Sequence, residues 1–128
     1  MSEQNEMDKT PGIISWNELA THDAAASGKF YTSLFGWARE DMDMGGFTYT
    51  VFKTGERSVA GMITLPPEAK DMPVMWLNYV TVENLEASVA KARELGAKVC
   101  KDITAMQMGR FAVISDPQGG VIGLWQFA

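Results

Sequence analysis

The 128 residues include one cysteine and one histidine, and that scarcity removes several functions at once. Cys100 alone builds no intrachain disulfide framework, so a reducing cytoplasm is the expected compartment. His22 without partner carboxylates falls short of a transition-metal donor set. Basic residues are few, 11 against 16 acidic ones for a net charge of −5, and they form no stripe. Nucleic acid and anionic membrane surfaces are excluded as partners, since both need clustered Lys and Arg. No apolar run approaches the ~20 residues of a membrane span. The opening MSEQNEMDKT lacks the apolar core of a signal peptide, and residues 1–10 are expected to be a disordered lead. A glycine-rich phosphate loop, a serine nucleophile elbow and a Cys-x-x-Cys pair are all missing.

What is present is a repeat. Trp16-Asn17-Glu18-Leu19-Ala20-Thr21-His22-Asp23 sets against Trp76-Leu77-Asn78-Tyr79-Val80-Thr81-Val82-Glu83, each opening with Trp and carrying Thr and then an acid. Each copy runs into a helical pattern that ends at a glycine, Gly36 or Gly96. Ser58-Val59-Ala60-Gly61-Met62 matches Gly120-Val121-Ile122-Gly123-Leu124 near the end of each copy.

Within the first copy, Gly12 to Leu19 reads as a strand and Asp23 as the N-cap of a helix. The spacing of Ala26, Phe30 and Leu34, with Tyr31 and Phe35 beside them, predicts the apolar face of that helix. Strands follow over Trp37–Asp41, Phe47–Lys53 and Ser58–Thr64. In the second copy Val74–Val82 is a strand, and Asn84–Leu95 a helix with Leu85, Val89, Ala92 and Leu95 inward. Val99–Thr104, Arg110–Ser115 and Gly120–Gln126 complete it. The expected division is module one over 11–64, a proline-bearing linker over 65–73 and module two over 74–127. The class is α+β: two βαβββ modules in tandem forming a pseudo-symmetric curved sheet around a central cleft.

Asp23, Phe30-Tyr31 and Leu34-Phe35-Gly36-Trp37 resemble the first-module signature of the vicinal oxygen chelate superfamily, which holds glyoxalase I, bleomycin-resistance proteins and extradiol dioxygenases. Asp116-Pro117-Gln118-Gly119 before Val121-Ile122-Gly123-Leu124 looks like its second closing hairpin. The resemblance covers residues 11–127. It implies metal ligands on the opening and closing strand of each module, and by position those slots fall on Trp16, Gly61, Leu77 and Gly123. None of the four offers a side-chain ligand, so no metal and no other cofactor is expected. Members of the superfamily pair their modules within one chain or across two, and a homodimer is the expectation here.

Strand alternation puts Glu18 on the same face as Trp16. In an apolar setting its carboxylate would have a raised pKa and would serve as a general base or as an anchor for a cationic ligand; the plainer reading is an ion pair or an exposed edge. Tyr79 shares a face with Leu77 and is either a ligand contact or a core tyrosine. Trp125 shares a face with Gly123, so that Trp16 and Trp125 would wall a cavity in which Gly61 and Gly123 leave space. Met106 and Met108 read as a soft lid or as chance, Arg110 as an anion clamp or a surface ion pair, and Cys100 as a buried thiol. The residues thus point to a metal-free small-molecule binder lined by Trp16, Glu18, Gly61, Leu77, Tyr79, Gly123 and Trp125. The alternative is an enzyme, a lyase, isomerase or dioxygenase, with an unconventional metal set or Glu18 as catalytic base.

Overall fold

A computed structural model describes residues 8–128. Most of the expected disordered lead, residues 1–7, lies outside the described residues; at residues 8–10 the Thr10 amide donates to Asp8 at 2.9 Å, and the Lys9 ammonium lies 5.3 Å from the centre of the Phe127 ring. The chain divides into two compact units, Trp16–Trp76 and Leu77–Ala128, the latter taking in residues 8–15.

The first unit runs β1 (Ile14–Thr21), α1 (Ala24–Phe35), β2 (Ala38–Asp43), β3 (Thr48–Thr54) and β4 (Arg57–Thr64). Its strands lie in the order β2-β3-β4-β1, with β1 parallel to β4 and the others antiparallel. Local chemistry sets the ends of α1. The Asp23 carboxylate accepts from the Ala26 amide at 3.0 Å, and Gly36 takes the left-handed conformation at φ 72 while donating to Thr32. The predicted apolar face of α1 is corrected. Phe30 and Leu34 are each 58% exposed, and Gly28 is the buried position of the helix. Ala24, Gly28 and Tyr31 form the inward stripe instead, because Gly28 has no side chain and Arg39 packs into the room that leaves. A Cβ at residue 28 would lie 2.2 Å from Arg39 Nη1 and 3.4 Å from Met62 Cε. The core beneath α1 is Leu19, Phe52, Ala60 and Met62.

The second unit runs β5 (Met75–Thr81), α2 (Leu85–Glu94), β6 (Lys98–Met106), β7 (Gly109–Ser115) and β8 (Val121–Phe127), with β5 entered from the end of the first. The strand order is β5-β8-β7-β6, with β5 parallel to β8. Asn84 caps α2 by accepting from Ala87, and Leu85, Val89, Ala112, Ile114 and Leu124 form the core under it. Leu95, expected inward, is exposed at the helix end. Asp116 to Gly119 is a turn: the Asp116 carboxylate accepts from the Gln118 and Gly120 amides at 2.8 and 3.0 Å, and Gly119 has φ 95. Cys100 is exposed rather than buried, because the β6–β7 pairing slips on either side of Lys101 and breaks the alternation a regular strand would give.

Both units therefore have one topology, β-α-β-β-β, with a helix on one face of a four-stranded sheet. Among the described residues no helix is long and apolar enough to cross a membrane.

Candidate functional site

In the first unit Leu19 turns toward α1, so Trp16 and Glu18 turn to the opposite face. The register sets Glu18 directly across from Gly61 on β4, and Gly61 across from Val51 on β3. Glu18 is 6% exposed, a buried carboxylate. The room over Gly61 is filled: a Cβ there would stand 1.9 Å from the Tyr49 hydroxyl and 3.0 Å from Trp16 Nε1. Trp16 Nε1 donates to that hydroxyl at 2.7 Å. Burial pushes the Tyr49 phenol well above the usual tyrosine range, and the Glu18 charge and its hydrogen bond with the phenol push the same way. Trp16 opposes them by donating to the phenol oxygen. Tyr49 thus remains a neutral phenol held between an indole donor and a carboxylate. Sequence reasoning passed over Tyr49, because only strand register reveals that it reaches across to Gly61.

The second unit has a related arrangement. Val80 pairs with Leu124, which belongs to the core under α2, so Tyr79, Thr81, Gly123 and Trp125 face the other way. Tyr79 sits across from Gly123, and a Cβ at Gly123 would meet the Tyr79 ring at 2.3 Å. Phe111 stands edge-on to Tyr79, with centroids 6.1 Å apart. Trp125 lies close over Gly109, where a Cβ would be 2.8 Å from Cζ2 of the indole. Leu77 and Tyr79 are both buried. Gly61 and Gly123 were expected to leave open space; the structure corrects this, since a tyrosine of the same unit takes the space over each.

Register also corrects the repeat. Glu18 stands across from Gly61 as Tyr79 stands across from Gly123, so Glu18 and Tyr79 are counterparts, as are Trp16 and Leu77. The Trp16–Trp76 match is one residue out. Trp76, the last residue of the first unit, takes the other parity of β5 and donates its indole N–H to the Tyr31 hydroxyl of the same unit at 3.1 Å. A slip of one position turns every side chain to the opposite face.

The remaining candidates have structural partners. Arg110 forms a fork with Glu86, one arm at 2.9 Å, and a 3.1 Å bond to Gln126, whose amide oxygen also accepts from the Leu85 amide at 2.7 Å. Hydrogen bonding to Arg110 holds Glu86 down at about 2. His22 Nε2 bonds the Met72 carbonyl at 2.7 Å. Met106 ends β6, and Met108 lies exposed in the tight turn to β7. The opening- and closing-strand positions Trp16, Gly61, Leu77 and Gly123 present an indole, two glycines and an aliphatic chain, so they do not fit a divalent metal. Among the described residues no cluster of three His, Cys, Asp or Glu is placed to hold one. Three buried side-chain polar atoms lack a partner among the described residues: Ser15 Oγ, Thr81 Oγ1 and Trp125 Nε1.

This topology, with glycines where the sheets' non-helical faces are crowded, is that of the paired βαβββ folds. Residues 13–124 match the Glyoxalase/Bleomycin resistance protein/Dioxygenase superfamily, and the chain belongs to that family. It is 37% identical over 119 residues to the putative glyoxylase CFP32 of Mycobacterium tuberculosis, covering 90% of this chain and 46% of that protein. It is 31% identical over 130 residues to the anthracycline biosynthesis protein DnrV of Streptomyces peucetius, covering 91% and 47%. The chain thus spans about half the length of the curated relatives it matches. Methylmalonyl-CoA epimerase of Mycobacterium tuberculosis shares the fold at TM-score 0.60 and 14% identity, over 98% of this chain and 95% of that one. So does a superfamily member from Vibrio splendidus, at TM-score 0.56 and 12% identity, over 87% and 96%.

Proposed function

We propose that this chain is a metal-independent, cytoplasmic small-molecule-binding protein of the glyoxalase/bleomycin-resistance type. Its candidate ligand contacts are Trp16 and Glu18 in the first unit and Leu77, Tyr79 and Trp125 in the second, the space over Gly61 and Gly123 being taken by Tyr49 and Tyr79. The observation that carries the reading is Glu18, a buried carboxylate on the face away from α1, beside a phenol that Trp16 fixes over Gly61. A carboxylate in such surroundings favours a ligand with a cationic or hydrogen-bond-donating group on an otherwise apolar body. Buried this way, Glu18 also suits a second reading, an enzyme in which it takes a proton from bound substrate.

The test is metal analysis of tag-free protein with Zn²⁺, Ni²⁺, Fe²⁺ and Mn²⁺ added, followed by a thermal-shift ligand screen on wild type and Glu18→Gln. The binding reading expects no stoichiometric metal, and a ligand whose stabilisation falls at least tenfold in apparent affinity in Glu18→Gln without turnover in either form. Turnover that vanishes in the variant while binding persists selects the second reading. Stoichiometric metal overturns both in their metal-free form.

The same proposal takes the protein as a homodimer. Phe30 and Leu34, one turn apart on α1 and both largely exposed, supply an apolar stripe that a second copy would cover.

A further inference from the structure

The second unit has an open groove between α2 and its edge strand β6, with a volume of about 330 Å³. Glu86, Val89, Ala90 and Arg93 line it from the helix, and Asp102 and Ile103 from the strand. The four helix residues recur at a spacing that keeps them on one side of α2, and Glu86 and Arg93 stand two turns apart, about 10 Å along its axis.

The strand side is built by an irregularity. Lys101 pairs with Val113 and Thr104 with Phe111, so two residues of β6 stand against Ala112 alone. This bulge turns Asp102 and Ile103, neighbours in the chain, into one groove, where a regular strand would send them to opposite faces. The Thr104 hydroxyl donates to the Asp102 carbonyl at 2.8 Å and holds the bulge. Val89 is buried and Ile103 packs against the same core, so these two form an apolar floor. At one end Arg110 holds Glu86 in a two-armed ion pair, and that charge is already answered. The other end is different. Arg93 Nη2 and Asp102 Oδ1 are 3.8 Å apart, beyond hydrogen-bonding distance, and both side chains are largely exposed.

We infer that this groove is a second binding site, for a free α-amino acid with an apolar side chain. The chemistry follows from the charges and the floor. A guanidinium takes a carboxylate through paired N–H donors, and a carboxylate takes an ammonium. An α-amino acid carries both groups on one carbon, so it matches an Arg and an Asp that stand side by side without bonding each other. Its side chain would run along Val89 and Ile103 toward the Glu86 end, where no further charge is needed. A simple carboxylic acid would bring its charge against Asp102, and a simple amine against Arg93, so both are disfavoured. The groove lies against α2, whereas Tyr79 and Trp125 face the opposite side of the sheet, and the inference stands apart from the Glu18 site.

The test titrates methyl-¹³C-labelled protein with L-phenylalanine, 3-phenylpropanoate and 2-phenylethylamine, which share an aromatic tail and differ in the charges they carry. Ile103→Val assigns the Ile103 methyl signals. L-phenylalanine should shift them saturably, and each one-charge probe should bind about fivefold more weakly, the worth of one exposed charge contact. Arg93→Gln should bring L-phenylalanine down to the affinity of 2-phenylethylamine, and Asp102→Asn to that of 3-phenylpropanoate. Both side chains lie outward, so both variants fold. Equal binding of the three probes, a preference for L-phenylalanine that survives both variants, or no saturable shift at Ile103 overturns the site.

Discussion

Tyr49→Phe removes a single oxygen atom, and the structure fixes what that oxygen does. It accepts the Trp16 indole N–H at 2.7 Å, and its own proton is offered to the buried Glu18 carboxylate. Its loss strands a buried donor and strips a buried charge of a hydrogen bond. At the lower end of the about 1–3 kcal/mol that each such defect costs, the variant should lose about 2–3 kcal/mol at pH 7. At about 4 °C per kcal/mol for a chain of this size, its Tm should fall by about 10 °C. The pH dependence sharpens the expectation. The folded-state pKa of Tyr49 is raised above 10.0, chiefly by burial and then by Glu18. The fold therefore favours the protonated phenol, and that stabilisation is complete below pH 10 and lost as pH rises above it. For one proton the slope is at most about 1.4 kcal/mol per pH unit. Urea unfolding of wild type and variant at pH 8, 9, 10 and 11 should give a gap that is constant to about pH 9 and then narrows, by about 1.4 kcal/mol at pH 11. Parallel curves to pH 11, or a variant as stable as wild type at pH 7, would refute the phenol–carboxylate contact.

Other expectations follow from the same contacts. Gly61→Ala should destabilise by about 1–3 kcal/mol, since its methyl displaces the Tyr49 hydroxyl, and Tyr49→Phe should relieve part of that loss in the double variant, measured by denaturant midpoints. The Glu86 carboxyl, followed by NMR, should titrate near 2 in wild type and return toward 4.5 in Arg110→Met; an unchanged midpoint would sink the assignment. Light scattering should give a dimer for the wild type, as proposed, and a monomer for Phe30→Glu with Leu34→Glu while the circular dichroism spectrum is retained, because both side chains already lie outward; a monomeric wild type would refute the proposed dimer. Cys100 should react stoichiometrically with a thiol reagent in the native state, at a rate unaffected by urea below the unfolding transition.

Which parts of this were legible depends on the range of the interactions involved. Both helices, the cap at Asp23 and the Asp116–Gly119 turn were readable because each is settled by atoms a few residues apart. The α2 stripe of Leu85, Val89 and Ala92 was readable because nothing competes with it. The α1 stripe was misread because Gly28 lets Arg39 pack beneath the helix, which no periodicity in α1 discloses. Tyr49 was missed for a similar reason: its partners Trp16 and Glu18 are far off in sequence, and only the β1–β4–β3 register brings them together.

By itself the sequence determined the class of the protein, two βαβββ modules, because alternation, capping and turn residues are local and occur in both copies, while the glyoxalase type came from the resemblance of its motifs to that superfamily. The tertiary structure alone decided which side chains meet. It set Glu18 rather than Leu19 as the counterpart of Tyr79 and filled the space over Gly61 and Gly123 with tyrosines. Strand register is a long-range choice made by packing, and one residue of slip reverses every face, so no reading of spacing along the chain could have supplied it.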